Sequence, residues 1–297
     1  MVDQDPEHSV AAMKPMPRIG RRIQKAVAFA LYATRSIASR RKLDEFAASS
    51  PAVRALLDAA DDRFSSDERR AFTVIERERE KLYARRDDYM WSIENAADPR
   101  SAAPPERQIV GDSAQKGSTK PRWGRFLYAL VREIKPDMCL ELGCCFGMSG
   151  QYILAAMRHV GRGKLLTMEG SRARAEISAE RFRALGHENF EIEIGDFDRT
   201  LAPFIEKAGS IDLAFVDGNH RREPTVRYDA LVRRHMHAGG VIVHDDIRWS
   251  SEMEDAWAEI AARPARLVFD LFRMGLVELG DGRKESVCAW LRLDQLR

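Results

Sequence analysis

The chain has 297 residues, 44% hydrophobic and 32% charged, and its 48 Lys+Arg against 46 Asp+Glu leave a formal net charge of +2. That composition supports a sizeable core and excludes a wholly disordered chain, a collagen and a polytopic membrane protein. The balanced charge gives no argument for a nucleic-acid partner.

In chain order, residues 1–17 read as a disordered tail, polar and punctuated by Pro6, Pro15 and Pro17. Residues 18–42 carry eight cations and no acid, and AVAFALYATRSIA between them reads as a helix. Three readings fit this basic segment: packing on its own protein, peripheral contact with an anionic membrane, or a signal-peptide core. A second helix is expected over about 66–95, opened by a Ser65/Glu68 capping box, with Phe72, Ile75, Leu82 and Ile93 on one face. Its place is in the core or at a homodimer contact. ADPRSAAPPER (97–107) reads as a linker, so the chain divides into a tail (1–17), a helical extension with linker (18–105) and a larger domain (106–297). Cys139, Cys144, Cys145 and Cys288 lack zinc-site spacing, which points to a reduced, cytosolic protein. No run of about 18 uncharged apolar residues predicts a membrane-spanning helix.

Beyond residue 108 the pattern alternates. GDSAQKGSTK (111–120) reads as a polar loop able to act as a lid. Helices are expected at 121–134, 150–160, 173–186, 224–237 and 252–262, and strands at 138–143, 164–170, 190–195, 211–218 and 239–246. A long apolar stretch, ARLVFDLFRMGLVEL (265–279), and SVCAWLRL (286–293) are expected to close the sheet as an antiparallel pair, because GDGRKE is too short for a parallel crossover. The fold class is therefore α/β: a doubly wound, Rossmann-like seven-stranded sheet with an antiparallel C-terminal hairpin, preceded by an N-terminal helical region. Its ligand belongs at the carboxyl ends of the strands.

The first of these strands ends in Glu141-Leu142-Gly143-Cys144-Cys145-Phe146-Gly147-Met148-Ser149. Glycines at such a turn let backbone approach a ligand, and the next helix presents free N–H groups. The spacing ExGxxxGxS departs from the nicotinamide GxGxxG fingerprint. A carboxylate before the first glycine suits a ligand carrying a cation, such as S-adenosylmethionine. Glu141 can take its amino group, while the Gly143, Cys145 and Gly147 loop and Ser149 face its carboxylate; Ser149 reads equally as a helix N-cap. Glu169, ending the second strand, can accept from both ribose hydroxyls. Asp196 and Phe197, after the third, can accept from and stack on an adenine. Two further strands end in acids, Asp217 and Asp245-Asp246. Three carboxylates without thiols suit a hard cation such as Mg²⁺, which can lower the pKa of a bound hydroxyl. His220 is placed to act as a general base or as a substrate or metal contact. His244, inside an apolar strand, reads as a satisfied core histidine before a ligand. Trp123 and Trp249 line a substrate cavity or pack.

From about residue 109 onward the chain resembles the class I S-adenosylmethionine-dependent methyltransferases, and within them the metal-dependent catechol and caffeoyl-CoA type of O-methyltransferase. VGDSAQKG, LELGCCFGMS and LLTMEGS carry the likeness in order and wording. The resemblance implies Glu141, Gly143, Gly147, Ser149 and Glu169 as cofactor residues and Asp217 and Asp245 as metal ligands. Asp246 stands where that family usually has Asn, and His220 where catechol enzymes carry a catalytic lysine. The function implied is Mg²⁺-assisted O-methylation of a small hydroxylated molecule. The alternatives are a sugar, lipid or peptide acceptor, or a non-catalytic adenosine-ligand module.

Overall fold

The computed structural model describes residues 43–94 and 104–280. The tail, the basic segment 18–42, much of the expected linker and the strand expected at 286–293 lie outside the described residues.

The described chain opens with helical residues 43–47, and two longer N-terminal helices follow. α1, Pro51–Ala60, is capped by the Ser50 hydroxyl, which accepts from Val53 N. α2, Ser66–Ala84, begins with the Ser65/Glu68 capping box in both directions. It ends eleven residues earlier than the sequence pattern expects. Arg85 turns extended and ion-pairs with Asp87, and the periodicity switches to two. The strand β1, Asp88–Trp91, follows, paired antiparallel with β2, Glu106–Ile109. Glu106 and Arg107 are thus strand rather than linker. The polar segment expected as a lid is largely a helix, α3, Val110–Gly117, and α4, Pro121–Ile134, starts on its proline as first-turn geometry allows.

The alternating half runs β3 Met138–Leu142, α5 Met148–Val160, β4 Lys164–Glu169, α6 Arg172–Ala184, β5 Phe190–Ile194, α7 Phe197–Ala208, β6 Ile211–Val216, α8 Arg222–Arg234, β7 Met236–His244 and α9 Ser251–Ala262. β8, Leu267–Asp270, and β9, Gly275–Glu278, complete it. The sequence pattern misses α7, because Pro203 inside it reads as a breaker. The closing hairpin also forms one segment earlier than expected. The 265–279 stretch folds back on itself at Leu271–Met274, where Leu271 N donates to Met274 O at 2.8 Å.

The seven-stranded sheet has the order β5-β4-β3-β6-β7-β9-β8. Its first five members pair parallel, and β9 lies antiparallel between β7 and β8. Alternate residues supply opposite faces, as the pleat requires. Cys139, Leu165, Phe215 and Val243 pack with α1, α2, α4, α5 and α6 on one side. Leu140, Leu166, Ala214 and Ile242 pack with α7 and α8 on the other, and α9 covers β8 and β9 through Trp257 and Ile260. The N-terminal helices share the main core. Arg132 of α4 ion-pairs with Asp58 of α1 and with Glu68 of α2, and Ser50, the cap of α1, hydrogen-bonds Glu278 of β9.

Candidate functional site

The turn after β3 is built by backbone constraints. Gly143 has φ +95, and a Cβ there would overlap the carbonyl oxygen of Asp217. Only glycine fits, and the loop after β3 thereby abuts the loop after β6. Gly143 N and Cys144 N both donate to Met168 O, at 2.9 and 3.0 Å. Gly147, left-handed at φ +78, is the N-cap of α5, so Ser149 is the second residue of that helix and not its cap.

Glu141 lies beneath this turn, fully buried. Its Oε2 accepts from Thr167 Oγ1 at 2.6 Å. Burial pushes its carboxyl up to about 7; the Ser149 and Thr167 hydrogen bonds oppose the rise, and the Glu169 charge adds to it. Glu169, at the end of β4, receives Cys145 N on Oε2 at 2.9 Å and Ser171 N on Oε1 at 3.0 Å. Each oxygen keeps a second acceptor position. Burial raises the Glu169 pKa, and nearby Arg174 and the backbone hydrogen bonds work against that rise. Arg174 is a contributor that sequence patterning misses. It hydrogen-bonds Tyr89 and lies over the Tyr89, Trp91 and Phe146 rings, tying the N-terminal hairpin to the glycine turn. Cys145 sits at φ +51 with its thiol pushed up to about 12 by burial, and Gly117 at the end of α3 packs against its sulfur.

Asp196 caps α7, accepting from Asp198 N at 3.0 Å. Phe197 packs on Gly218 and edge-on to Tyr228 at 6.0 Å. Glu94 crosses this rim: its N–H donates to Gly170 O and its carbonyl accepts from Asp196 N. Ile93, read from the sequence as part of a helix face, packs here on Gly170.

The second cluster stands at the ends of β6 and β7. Ligand atoms of Asp217, His220 and Asp246 all lie within 4.8 Å of one another, with His220 Nε2 3.6 Å from Asp217 Oδ1. Burial and the neighbouring Asp245 and Asp246 charges hold the Asp217 carboxyl well above the carboxylate range. Asp245 does not join this group. Arg273 donates Nε to Asp245 Oδ1 and Nη2 to Asp245 Oδ2, each at 2.9 Å, Asp246 N also donates to Asp245 Oδ1 at 2.7 Å, and Arg273 Nη2 lies 3.3 Å from Asp246 Oδ1. Of the expected Asp217, Asp245 and Asp246, the geometry groups Asp217 and Asp246 with His220, while Asp245 faces Arg273. A cation in the middle of the apolar run 265–279 is the sequence signal for Arg273.

Around these residues the backbone is strained. Cys145, Asn219, Asp246 and Phe272 all have positive φ, an arrangement that costs energy and clusters at functional sites. Trp249, 66% exposed, holds its ring 6.0 Å from that of His220. Trp123, by contrast, is buried and edge-on to Phe126. His244 is a core residue, its Nε2 3.1 Å from Asp229 Oδ1, and that aspartate also pairs with Arg233 and Arg263.

The geometry thus consists of a glycine turn and paired strand-end acids at the carboxyl edge of a doubly wound sheet. Residues 140–247 match the family model described as "Methyltransferase domain". That stretch is a methyltransferase domain. Among curated proteins, this chain is 28% identical over 173 residues to a protein named "Putative O-methyltransferase" from Mycobacterium sp. (strain JLS), covering 56% of this chain and 77% of that one. It is 27% identical over 101 residues to uncharacterized protein R132 of Acanthamoeba polyphaga mimivirus, covering 33% and 46%. Similar solved structures include the methyltransferase PaMTH1 of Podospora anserina, bound to S-adenosylhomocysteine, with 20% identity, a TM-score of 0.49 and coverage of 56% and 81%. The O-methyltransferase TomG of Streptomyces achromogenes has 18% identity, a TM-score of 0.49 and coverage of 57% and 87%. The expectation of an S-adenosylmethionine-dependent methyltransferase is met at the level of the domain.

Proposed function

We propose that this domain transfers the methyl group of S-adenosylmethionine to a hydroxyl oxygen of a small molecule, with a divalent cation at Asp217, His220 and Asp246. The observation that carries the reading is the abutment of Gly143 on the Asp217 carbonyl. It sets the cofactor turn directly against the acid cluster. Methyl transfer requires donor and acceptor atoms to meet at about 3–3.5 Å, and fixed juxtaposition supplies much of the rate.

In this reading Glu169 holds the ribose through its remaining acceptor positions, and Asp196 and Phe197 flank the adenine. The first turn of α5, with Ser149, faces the methionine carboxylate. Glu141 stiffens the turn from below and is too buried to meet solvent. The donor set, two carboxylates and an imidazole without thiols, fits a divalent cation. Such an ion would hold the acceptor hydroxyl and lower its pKa. With His220 engaged as a ligand, the proton of the cation-bound hydroxyl would pass to solvent, and Trp249 offers an exposed face to an aromatic acceptor. The methyl then passes in line to the oxygen, releasing S-adenosylhomocysteine.

Calorimetry with S-adenosylmethionine, beside methyl-transfer assays on hydroxylated acceptors with and without EDTA, tests this. Cofactor binding that survives EDTA while transfer is lost is the expected result; transfer indifferent to EDTA would remove the metal. Peripheral membrane contact through residues 18–42 is a separate proposal, checked by liposome flotation with and without those residues. Homodimer formation is checked by sedimentation.

A further inference from the structure

Arg273, paired with both Asp245 and Asp246 at the acceptor end of the site, has no place in the transfer step above. It reaches the acid cluster from the β8–β9 turn. Ile247 N donates to the Arg273 carbonyl at 3.0 Å, stapling that turn to the loop that carries Asp245 and Asp246. Phe272, just before it, is left-handed at φ +72, and Arg248 lies over its ring while ion-pairing with Asp270. The guanidinium then closes a two-pronged pair with Asp245, whose side chain is fully buried. A planar fork that matches both oxygens of a carboxylate is a strong and directional contact, and a lysine cannot reproduce it.

We infer that Arg273 is a positioning residue that withdraws Asp245 from the metal-ligand set and leaves Asp217, Asp246 and the His220 imidazole, so that the site selects Mn²⁺ over Mg²⁺. This rests on the proposed cation site. Three convergent carboxylates present only oxygen, the donor that Mg²⁺ favours. Replacing one of them with an imidazole shifts preference toward ions that accept nitrogen, and among oxygen-tolerant ions toward Mn²⁺. The withdrawal is mechanical as well as electrostatic. Both Asp245 oxygens face the fork, and the turn that carries the fork is fixed by its own hydrogen bonds.

The test uses the metal-stripped full chain, with Mn²⁺ and Mg²⁺ affinities measured by calorimetry and the bound Mn²⁺ examined by electron spin-echo spectroscopy. The wild type is expected to show nitrogen modulation from the His220 imidazole. H220Q is expected to lose that modulation, and its Mn²⁺-to-Mg²⁺ affinity ratio to fall by about tenfold or more, the scale of a lost ligand contact. R273M frees Asp245 and is expected to strengthen Mg²⁺ more than Mn²⁺, lowering the ratio. R273K keeps the charge without the fork and is expected to lower it too. Thermal melts identify variants that fail to fold. Absent nitrogen modulation in the wild type, an unchanged ratio in H220Q, an equal rise for both ions in R273M, or a wild-type ratio in R273K each overturns the inference. A wild type that binds neither ion overturns it together with the cation site; binding with an indifferent ratio overturns the inference alone.

Discussion

Glu169→Gln separates the structural from the ligand-binding role of the carboxylate that ends β4. In the folded protein each of its oxygens accepts one backbone N–H, from Cys145 and from Ser171. A glutamine supplies one oxygen and one NH₂, so one of the two buried donors must face another donor. Such an unsatisfied group costs about 1–3 kcal/mol. In a chain of this size that lowers the melting temperature by roughly 2–4 °C per kcal/mol. The ribose contact is lost in addition. Hydrogen bonds to a charged acceptor contribute about 1.5–3 kcal/mol each, so the affinity for S-adenosylmethionine falls by about 100-fold or more even where the variant is fully folded. Calorimetric titration of wild type and variant, performed below both melting transitions, measures the second effect free of the first. A variant that melts lower yet binds the cofactor within about threefold of wild type, a difference under 1 kcal/mol, would show that Glu169 serves the turn alone, and the ribose assignment would fall.

Gly124→Ala should destabilise the protein. Mid-helix propensity alone favours alanine by about 1 kcal/mol, but the added methyl would lie 2.9 Å from Tyr152 Cγ and closer to its ring edge. That ring is fully buried and tethered by a Tyr152–Glu76 hydrogen bond, so an overpacking cost of about 1–3 kcal/mol wins; urea melts at several temperatures measure it. Gly143→Ala should abolish cofactor binding outright, because the methyl meets backbone rather than a movable side chain; binding within about tenfold of wild type would contradict the close approach argued here. Glu141 carries the pH prediction. Its folded-state pKa, raised from 4.5 to about 7, means the native state binds the extra proton. The associated stability is full below pH 4.5 and is lost as pH rises through about 7. Glu141→Gln should flatten that slope, narrowing its deficit or gaining on wild type toward pH 8; parallel stability curves would refute it.

Much of the fold was legible because the parallel strands are apolar runs, each ended by an acid or a glycine and followed by a helical period. MCLEL, LLTME and LAFV admit few other readings. What escaped did so for local reasons. Pro203 hid α7, two glycines made Val110–Gly117 look like loop, and the charged RRDD sequence masked a change of period before Tyr89. The acids of the site were readable from strand ends. Their partners were not, because Arg273 pairs with Asp245 across 28 residues, and only the order of strands brings the two together. The same limit applies to Arg174, whose ring partners Tyr89 and Trp91 come from a hairpin outside the alternating pattern.

The placement of β9 also governs when the molecule can be completed. It is the last described strand to leave the ribosome, yet it sits inside the sheet, between β7 and β8. Until residues 275–278 have been synthesised, β7 presents an unpaired edge, the kind of surface that recruits other strands. Ser50 meanwhile waits for a partner 228 positions downstream. Closing so long a loop is slow, so the nascent chain spends most of its translation without the Ser50–Glu278 bond that ties the cap of α1 to the last described strand. A chaperone that shields the β7 edge would therefore raise the yield of this protein more than one acting after release.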